Sequence, residues 1–426
     1  MPEFLTLLPP ADALKKLLDH LHADPDPEQV DTERALGRIL ISPVTAPHPL
    51  PEFPRAAVDG YAVRAADTFA ASESLPIYLE LAGEAPMGAA PQVNLTAGKC
   101  VLIHTGGMLP EGADAVVMLE YTQPVRSQEI EISRAVAVGE NVIEIGEDVE
   151  EGQEVIPAGT RLRPAEIGGL MALGFTTIAV ARKPKVGLIS SGDEVIPPVE
   201  KPAPGQVRDI NAYTLSAAVE SAGGQPIFYG IIPDTYDDLA AAAGRAKTEC
   251  DLVVITAGSS ASARDLTSQI LDELGRPGVL VHGVNTRPGK PTILAVCDGV
   301  PVIGLPGNPV SALVNAHLFV NPVIKALLGE RTARPWPSVR AFLTVNLPSQ
   351  AGREDWVPVR LIYPSLLSRS WERGEEPGEG GEGYLAEPIF GKSNLIFTLA
   401  RADGLLKIPP DATGLPAGEL VEVYLM

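Results

Sequence analysis

KVGLIS (185–190), NAYTLSAAVESAGG (211–224), QPIFYGII (225–232), YDDLAAAAGRAK (236–247), DLVVITAG (251–258) and RDLTSQILDELG (264–275) follow one another along the chain. Short runs of β-branched and aliphatic residues alternate with segments whose apolar residues recur at helical spacing. Such alternation predicts βαβ units and a mostly parallel sheet with helices on both faces, an α/β domain over 183–330. In open sheets of this kind ligands collect beyond the carboxyl ends of the strands, so the loops there are the first place to look for chemistry.

Outward from that core the pattern changes. Residues 10–23 (PADALKKLLDHLHA) have helical spacing, and DTERALGRIL (31–40) begins with Asp31 and Thr32 as caps of a second short helix. From 58 to 133 short apolar runs (AVDGYAV, LPIYLELAG, CVLIH, DAVVMLEY, EIEIS) are separated by Pro, Gly and Asn, which predicts an inserted β-rich domain over 46–137. Residues 138–182 carry a hairpin-like stretch, VEEGQEVIPAGTRL, and then a helix from Pro164 to about Gly174; with 1–45 they form a discontinuous connecting domain. Trp336, Val339, Phe342, Val345 and the late strand LVEVYL predict a C-terminal β domain over 335–426, interrupted by the Gly/Glu-rich loop SWERGEEPGEGGEG at 370–383. Length alone suggests about three domains at roughly 150 residues each; the 426 residues divide better into four.

Composition sets limits on the ligand. With 33 basic and 54 acidic side chains the formal net charge is −21, which argues against a nucleic-acid surface, since neutralising phosphates needs clustered Lys and Arg. A small anionic ligand therefore needs local positive charge or a divalent metal. Cys100, Cys250 and Cys297 are odd in number and widely spaced, fitting neither a disulfide framework nor a CxxC metal site and pointing to a reducing cytoplasm. The six histidines include no HExxH, so zinc has little support. No leader is expected after Met1-Pro2-Glu3-Phe4, and no apolar run approaches the roughly 18 residues of a membrane helix.

Four strand-end loops in the α/β region stand out. Gly192-Asp193-Glu194 follows KVGLISS, Pro233-Asp234 follows QPIFYGII, AGSSASARD ends in Asp265, and LPGNPVS ends in Ser311. Any one acid at a strand end is ordinarily a helix cap; three delivered to one edge suggest a site. In LPGNPVS, Pro306 and Gly307 lead to Asn308 as N-cap and Pro309 as first helical residue, so N–H groups and the helix dipole face whatever lies beyond: a phosphate cradle or simply a well-capped helix. Gly258 with Ser259, Ser260 and Ser262 offers close backbone approach and hydroxyls. RPGKP (287–291) holds Arg287 and Lys290 in a rigid turn and supplies the local positive charge. Asp59 in PEFPRAAVDGYAV and Thr105 in IHTGGMLPEGADAVV sit in Pro- and Gly-flanked segments of types suited to substrate or metal contact, or to turn chemistry alone.

Together these segments resemble the molybdopterin molybdenumtransferase family, to which the gephyrin E domain is related. The likeness runs in the family's order through VDGYAVRAADT (58–68), IHTGGMLPEGADAVVMLEYT (103–122), GEDVEEGQEVIPAGTRL (146–162), KPKVGLISSGDEV (183–195), GQVRDINAYTL (205–215), GIIPDTYDDL (230–239), RPGKP and LPGNPVSALV. The resemblance implies binding of adenylylated molybdopterin and molybdate, magnesium-dependent cleavage of the adenylate, and release of molybdenum cofactor and AMP. It places active-site acids, candidate Mg2+ ligands, at Asp59, Glu194, Asp234 and Asp265, an active-site threonine at Thr105, the basic loop at Arg287 and Lys290, and another functional acid at Asp148. It further implies a homodimer whose site is shared, the α/β domain of one subunit facing the β domain of the other, and a molybdopterin adenylyltransferase upstream. Neither nucleic acid nor membrane is expected as a partner. Two departures stand out: TAGSSASARD (256–265) where the family has an SGGVSVGD-like loop, and Asn141-Val142-Ile143-Glu144-Ile145 where it commonly has an arginine before GED, so that either an anion contact is lost or Arg264 or Arg208 substitutes for it. The alternatives are a paralogue serving tungstate or another step, and a non-catalytic scaffold; retention of all four acids favours the enzyme.

Overall fold

The structure, a computed structural model, describes residues 7–21, 24–126, 128–257, 261–331, 336–363 and 383–426, with the backbone alone at 261–265. Its centre is a six-stranded sheet of β1 (Lys185–Ser191), β2 (Gln225–Ile232), β3 (Leu252–Ala257), β4 (Pro277–His282), β5 (Ile293–Cys297) and β6 (Val300–Pro306), in the order β2-β1-β3-β6-β5-β4. β2, β1, β3 and β6 are mutually parallel, whereas β5 runs antiparallel to both β6 and β4. The helices are α1 (Asn211–Ala222), α2 (Tyr236–Glu249), α3 (Ala261–Glu273) and α4 (Pro309–Asn315).

Strand β3 shows why the hydrophobic runs are unbroken. Successive side chains point to opposite faces, so Leu252 and Val254 join one core with Leu215 and Val219 of α1, while Val253 and Ile255 join another with Leu239 and Ala243 of α2 and Ile270 of α3. Both faces are covered, and no position is left to be polar. Helix α1 ends at Gly223, whose φ of +101° is the left-handed conformation glycine adopts without strain.

The run Pro309–Leu327 has the length and apolarity of a membrane span, contrary to the sequence expectation. Here it is a core helix, α4 continuing through a π turn at Ala316–Val320 into Asn321–Leu327, with Phe319, Val320, Val323 and Ile324 fully buried in the first of those cores. Truncating a phenylalanine so placed costs about 3–5 kcal/mol.

Two β units flank this centre. The C-terminal strands Glu354–Ile362, Tyr384–Pro388, Ser338–Leu343, Leu420–Leu425 and Gly404–Ile408 pair in that order, and the last returns to the first, closing a barrel. The inserted domain is a six-stranded sheet, antiparallel except where Ile77–Glu84 meets Lys99–Ile103.

Two local expectations differ from the structure. The second helix at 31–40 is only a 3₁₀ turn, Thr32–Arg34, because Gly37 takes φ +75° and Ile39 and Leu40 then bridge to Arg161 and Val180. The stretch 149–162 is no self-paired hairpin; Glu154–Ile156 pairs with Val44–Thr45 far away in sequence. The helix near Pro164 forms as expected, over Pro164–Ala172.

Candidate functional site

Because β1, β2, β3 and β6 are parallel, the loops after them share one edge. β4 is antiparallel to β5, and β5 to β6, so β4 also delivers the following RPGKP loop to that edge. The sheet thus gathers the acidic loops, the LPGNPVS turn and the basic loop along one border, as the sequence suggested.

Beyond that border lies a cleft of about 1180 Å³ between the α/β domain and the barrel. From the α/β side it is lined by Arg287, Lys290, Pro306, Asn308 and Ser311, and from the barrel side by Arg353, Asp355, Lys392 and Ser393. Arg287, Lys290, Arg353 and Lys392 stand against a single carboxylate, Asp355, among the described lining residues. On a chain of net charge −21 this is a concentrated reversal of sign, and a concave, cation-lined cleft focuses field and attracts anions.

Asp355 organises the cations. It is 4% exposed, accepts from Arg353 Nε at 2.9 Å and Ser349 Oγ at 2.9 Å, and lies 3.8 Å from Arg287 Nη1. Thr286–Arg287 also pairs with Glu354–Asp355 as a short parallel strand, so Arg287 is fixed to the barrel by backbone as well as charge. Lys290 is exposed and makes no ion pair among the described residues. The arrangement leaves ammonium and guanidinium donors facing the cleft.

The LPGNPVS turn is built as expected, with Asn308 as N-cap and Pro309 first in the helix, but the Asn308 side chain makes no capping bond. The N–H of Val310 is not free for a ligand either. It donates to the Ser393 carbonyl of the barrel at 3.0 Å, so this helix start docks a domain. Pro306, Asn308 and Ser311 still line the cleft, with Gly307 and Pro309 between them in sequence. Asn211 Nδ2 supports the turn from below by donating to the Gly307 carbonyl at 2.8 Å.

Along the acidic loops Ser191 Oγ donates to Asp234 Oδ1 in a short bond, and the Asp234 N–H donates to Asp193 Oδ1 at 3.2 Å. Asp193, named from sequence only as part of its loop, is therefore the brace that joins the first two loops. Glu194 follows Asp193, and its carbonyl accepts the Val207 N–H at 2.8 Å. Asp265 and Ser262 lie on α3 with side chains outside the described residues, as does the side chain of Arg264; Gly258, Ser259 and Ser260 fall outside them altogether. Arg208 donates to the Pro198 and Glu200 carbonyls and so braces its own turn. Asp148 is exposed, its N–H donating to the Leu50 carbonyl.

Asp59 and Thr105 meet each other in the inserted domain. The Thr105 N–H donates to Asp59 Oδ1 at 2.8 Å, and His104 stands 3.7 Å from the same oxygen while bonding Glu84 at 3.1 Å. That backbone donor, aided by His104, holds the Asp59 carboxyl below its ordinary value. Neither residue lines the cleft, and their hydrogen bonds and ion pairs among the described residues stay within the inserted domain. Among the described residues neither makes a hydrogen bond or ion pair to the α/β edge.

The acids fit a magnesium ion by chemistry. Mg2+ takes hard oxygens and usually one or two carboxylates, with waters and substrate phosphates completing the shell. Among the described residues no three His, Cys, Asp or Glu side chains converge as a protein cage; Asp234 and Glu194 stand in the loops after the adjacent strands β2 and β1.

Arg353, Lys392, Ser393 and Asp355 escaped the sequence reading. The only signal was charge at strand ends in GRED (352–355) and FGKSN (390–394), with nothing local to say which domain those loops face.

Comparison with known proteins gives three consecutive matches. Residues 8–174 match the MoeA N-terminal region (domain I and II), residues 187–326 a probable molybdopterin binding domain, and residues 340–426 the MoeA C-terminal region (domain IV). A molybdopterin molybdenumtransferase of Nostoc is 36% identical over 420 residues, covering 97% of this chain and 92% of that one. Its namesake from Bacillus subtilis is 32% identical over 430 residues, covering 100% and 96%. Among solved structures, the molybdopterin biosynthesis MoeA protein of Pyrococcus horikoshii superposes with a TM-score of 0.82 at 34% identity over 99% of this chain and 100% of that one.

Proposed function

The chain belongs to the molybdopterin molybdenumtransferase family, enzymes of molybdenum cofactor biosynthesis, and from that premise we propose that it inserts molybdate into adenylylated molybdopterin, with release of AMP. The observation that carries this reading is the cleft, where Arg287, Lys290, Arg353 and Lys392 gather beside the Pro306–Ser311 turn on an otherwise acidic protein. Molybdate is the incoming substrate oxyanion, and those cations hold and orient it.

The adenylylated pterin lies along the strand-end edge, its phosphates toward the acidic loops. Asp234, fixed by Ser191 and Asp193, and Glu194 are the residues that would hold Mg2+, with Asp265 completing the set from α3. The ion, when bound, polarises the phosphoryl oxygens and offsets charge on the departing AMP. Lys290 and Arg287 offset the charge of the phosphate or of the incoming oxyanion, which is stabilisation by charges already in place. No covalent nucleophile on the protein is needed.

Asp59 and Thr105 enter through a homodimer, in which the inserted domain of one subunit covers the α/β edge of the other. The exposure of the Asp59 cluster and its separation from the cleft within one chain support this. An adenylyltransferase acting on molybdopterin supplies the substrate. A reducing cytoplasm is the proposed compartment, which suits three buried free thiols at Cys100, Cys250 and Cys297.

Purified protein supplied with adenylylated molybdopterin, molybdate and Mg2+ is expected to release AMP at a rate that rises with molybdate. Folded, dimeric protein that releases none removes the insertase reading.

A further inference from the structure

The basic loop is held by a residue outside it. Asn315, the last residue of α4, is fully buried. Its amide nitrogen donates to the Ser311 carbonyl one turn earlier at 2.7 Å and to the Pro288 carbonyl of the RPGKP loop at 3.1 Å. A side-chain amide has two N–H donors, and both are committed, one to its own helix and one across to the loop.

Gly289 shows how closely the two elements meet. A Cβ at this position would lie 1.7 Å from Asn315 Nδ2 and 2.6 Å from its Cγ, at a φ of +114° that L side chains rarely adopt. The loop backbone thus rests on the face of the Asn315 amide with nothing between them. Asn315 Oδ1 meanwhile is buried without a partner. An unpaired buried acceptor is unfavourable, so the amide is arranged for donation, and flipping it would set oxygen against oxygen at Pro288. On the loop's other side Thr292 donates to the Gly289 carbonyl through both N–H and Oγ1.

We propose that Asn315 is a positioning residue for Lys290 and Arg287: by anchoring the Pro288 carbonyl to α4 it fixes both cations relative to Ser311 on the same wall of the cleft. It touches no substrate. The proposal rests on the reading of the cleft as the oxyanion site and extends it to the element that sets the site's dimensions. Arg287 is also tied to the barrel, and the Lys290 carbonyl accepts from the Val284 N–H, so Asn315 sets the spacing of the loop from α4, and a misplacement of about 1 Å is enough to weaken a site built on placed charge.

The test is equilibrium titration of molybdate alone onto the full-length protein. Asn315→Ser leaves a hydroxyl that can bond the carbonyl one turn back but is too short for Pro288, and it is expected to weaken molybdate about tenfold. In a Lys290→Ala background the same change is expected to cause a smaller loss, because only one of the two cations whose place it fixes remains. Unchanged affinity for Asn315→Ser, or an equal loss in both backgrounds, overturns the positioning role. If Lys290→Ala and Arg287→Ala both bind molybdate as the parent does, the oxyanion reading itself fails instead. Should Asn315→Ser not fold, Gly289→Ala pushes the loop away from the other side, and undiminished binding by that variant overturns the proposal.

Discussion

The cleft and the Asp59 cluster are built in opposite ways. At the cleft, two domains of one chain close around four cations, a buried carboxylate ties two of them together, and backbone pairing between Thr286–Arg287 and Glu354–Asp355 locks the seam. Around Asp59 the carboxylate is exposed, and its hydrogen bonds and ion pairs among the described residues are local to the inserted domain. The first has its walls within one chain, whereas Asp59 and Thr105 line no part of that cleft. The contrast is what the proposed shared site would leave in a single chain, and it can be broken experimentally.

The largest effect is expected at the cleft. Lys290 has no ion pair to lose among the described residues, so Lys290→Ala removes a charge without stranding a partner, and stability should change little. Molybdate-dependent AMP release should fall by roughly 10²–10³, as for removal of one preorganised donor to a developing anion. Single-turnover assay at saturating pterin measures it. A fall below threefold would show that the cation cluster is not where charge develops.

The comparison sharpens when the two regions are disabled in different chains. Asp59→Asn and Lys290→Ala proteins are each expected to be nearly inactive. Mixed and allowed to exchange subunits, they form dimers in which one shared site carries both wild-type residues and the other carries both substitutions. Random pairing in a two-fold dimer then restores about a quarter of parental activity. If Asp59 served the cleft of its own chain, every site in the mixture would carry one defect and mixing would restore nothing.

These experiments also separate what the sequence could disclose from what it could not. The α/β sheet was legible because strands buried on both faces read as unbroken apolar runs, and the strand-end loops followed from the parallel order. The basic loop was legible as charge on a rigid turn. Its partners were not: Arg353 and Asp355 reach Arg287 through a pairing across 68 residues in register, and no local period encodes which loops of a closed barrel face a neighbour. The start of α4 shows the same limit in reverse. Asn308-Pro309 announced a helix terminus correctly, but the acceptor for the Val310 N–H is the Ser393 carbonyl, so an apparent ligand cradle is partly a domain contact.

The smallest expected effect concerns that domain contact and depends on pH. His317, in the π turn that follows α4, stacks on Trp336 at 5.4 Å; Trp336 stacks on Trp356 at 5.7 Å, and Trp356 lines the cleft. Asn321 Nδ2 donates to His317 Nδ1 at 3.2 Å, which suits a neutral ring with its proton on Nε2. Burial pushes the imidazole below its ordinary value of 6.5. The unfolded chain therefore takes up a proton near pH 6.5 that the folded chain refuses, so this contribution is present in full above that pH and is lost as pH falls toward the depressed folded value. His317→Phe keeps a stacking ring and cannot titrate, at the cost of about 1 kcal/mol for the lost hydrogen bond at every pH. The variant should thus melt below the parent at pH 8, with the gap narrowing between pH 6.5 and 5. Other groups with shifted values, Asp251 and Asp298 among them, titrate alike in both proteins and cancel in the difference. Parallel melting curves across that window would mean that His317 takes its proton equally well folded, and that the seam beside the cleft carries no pH sensitivity of its own.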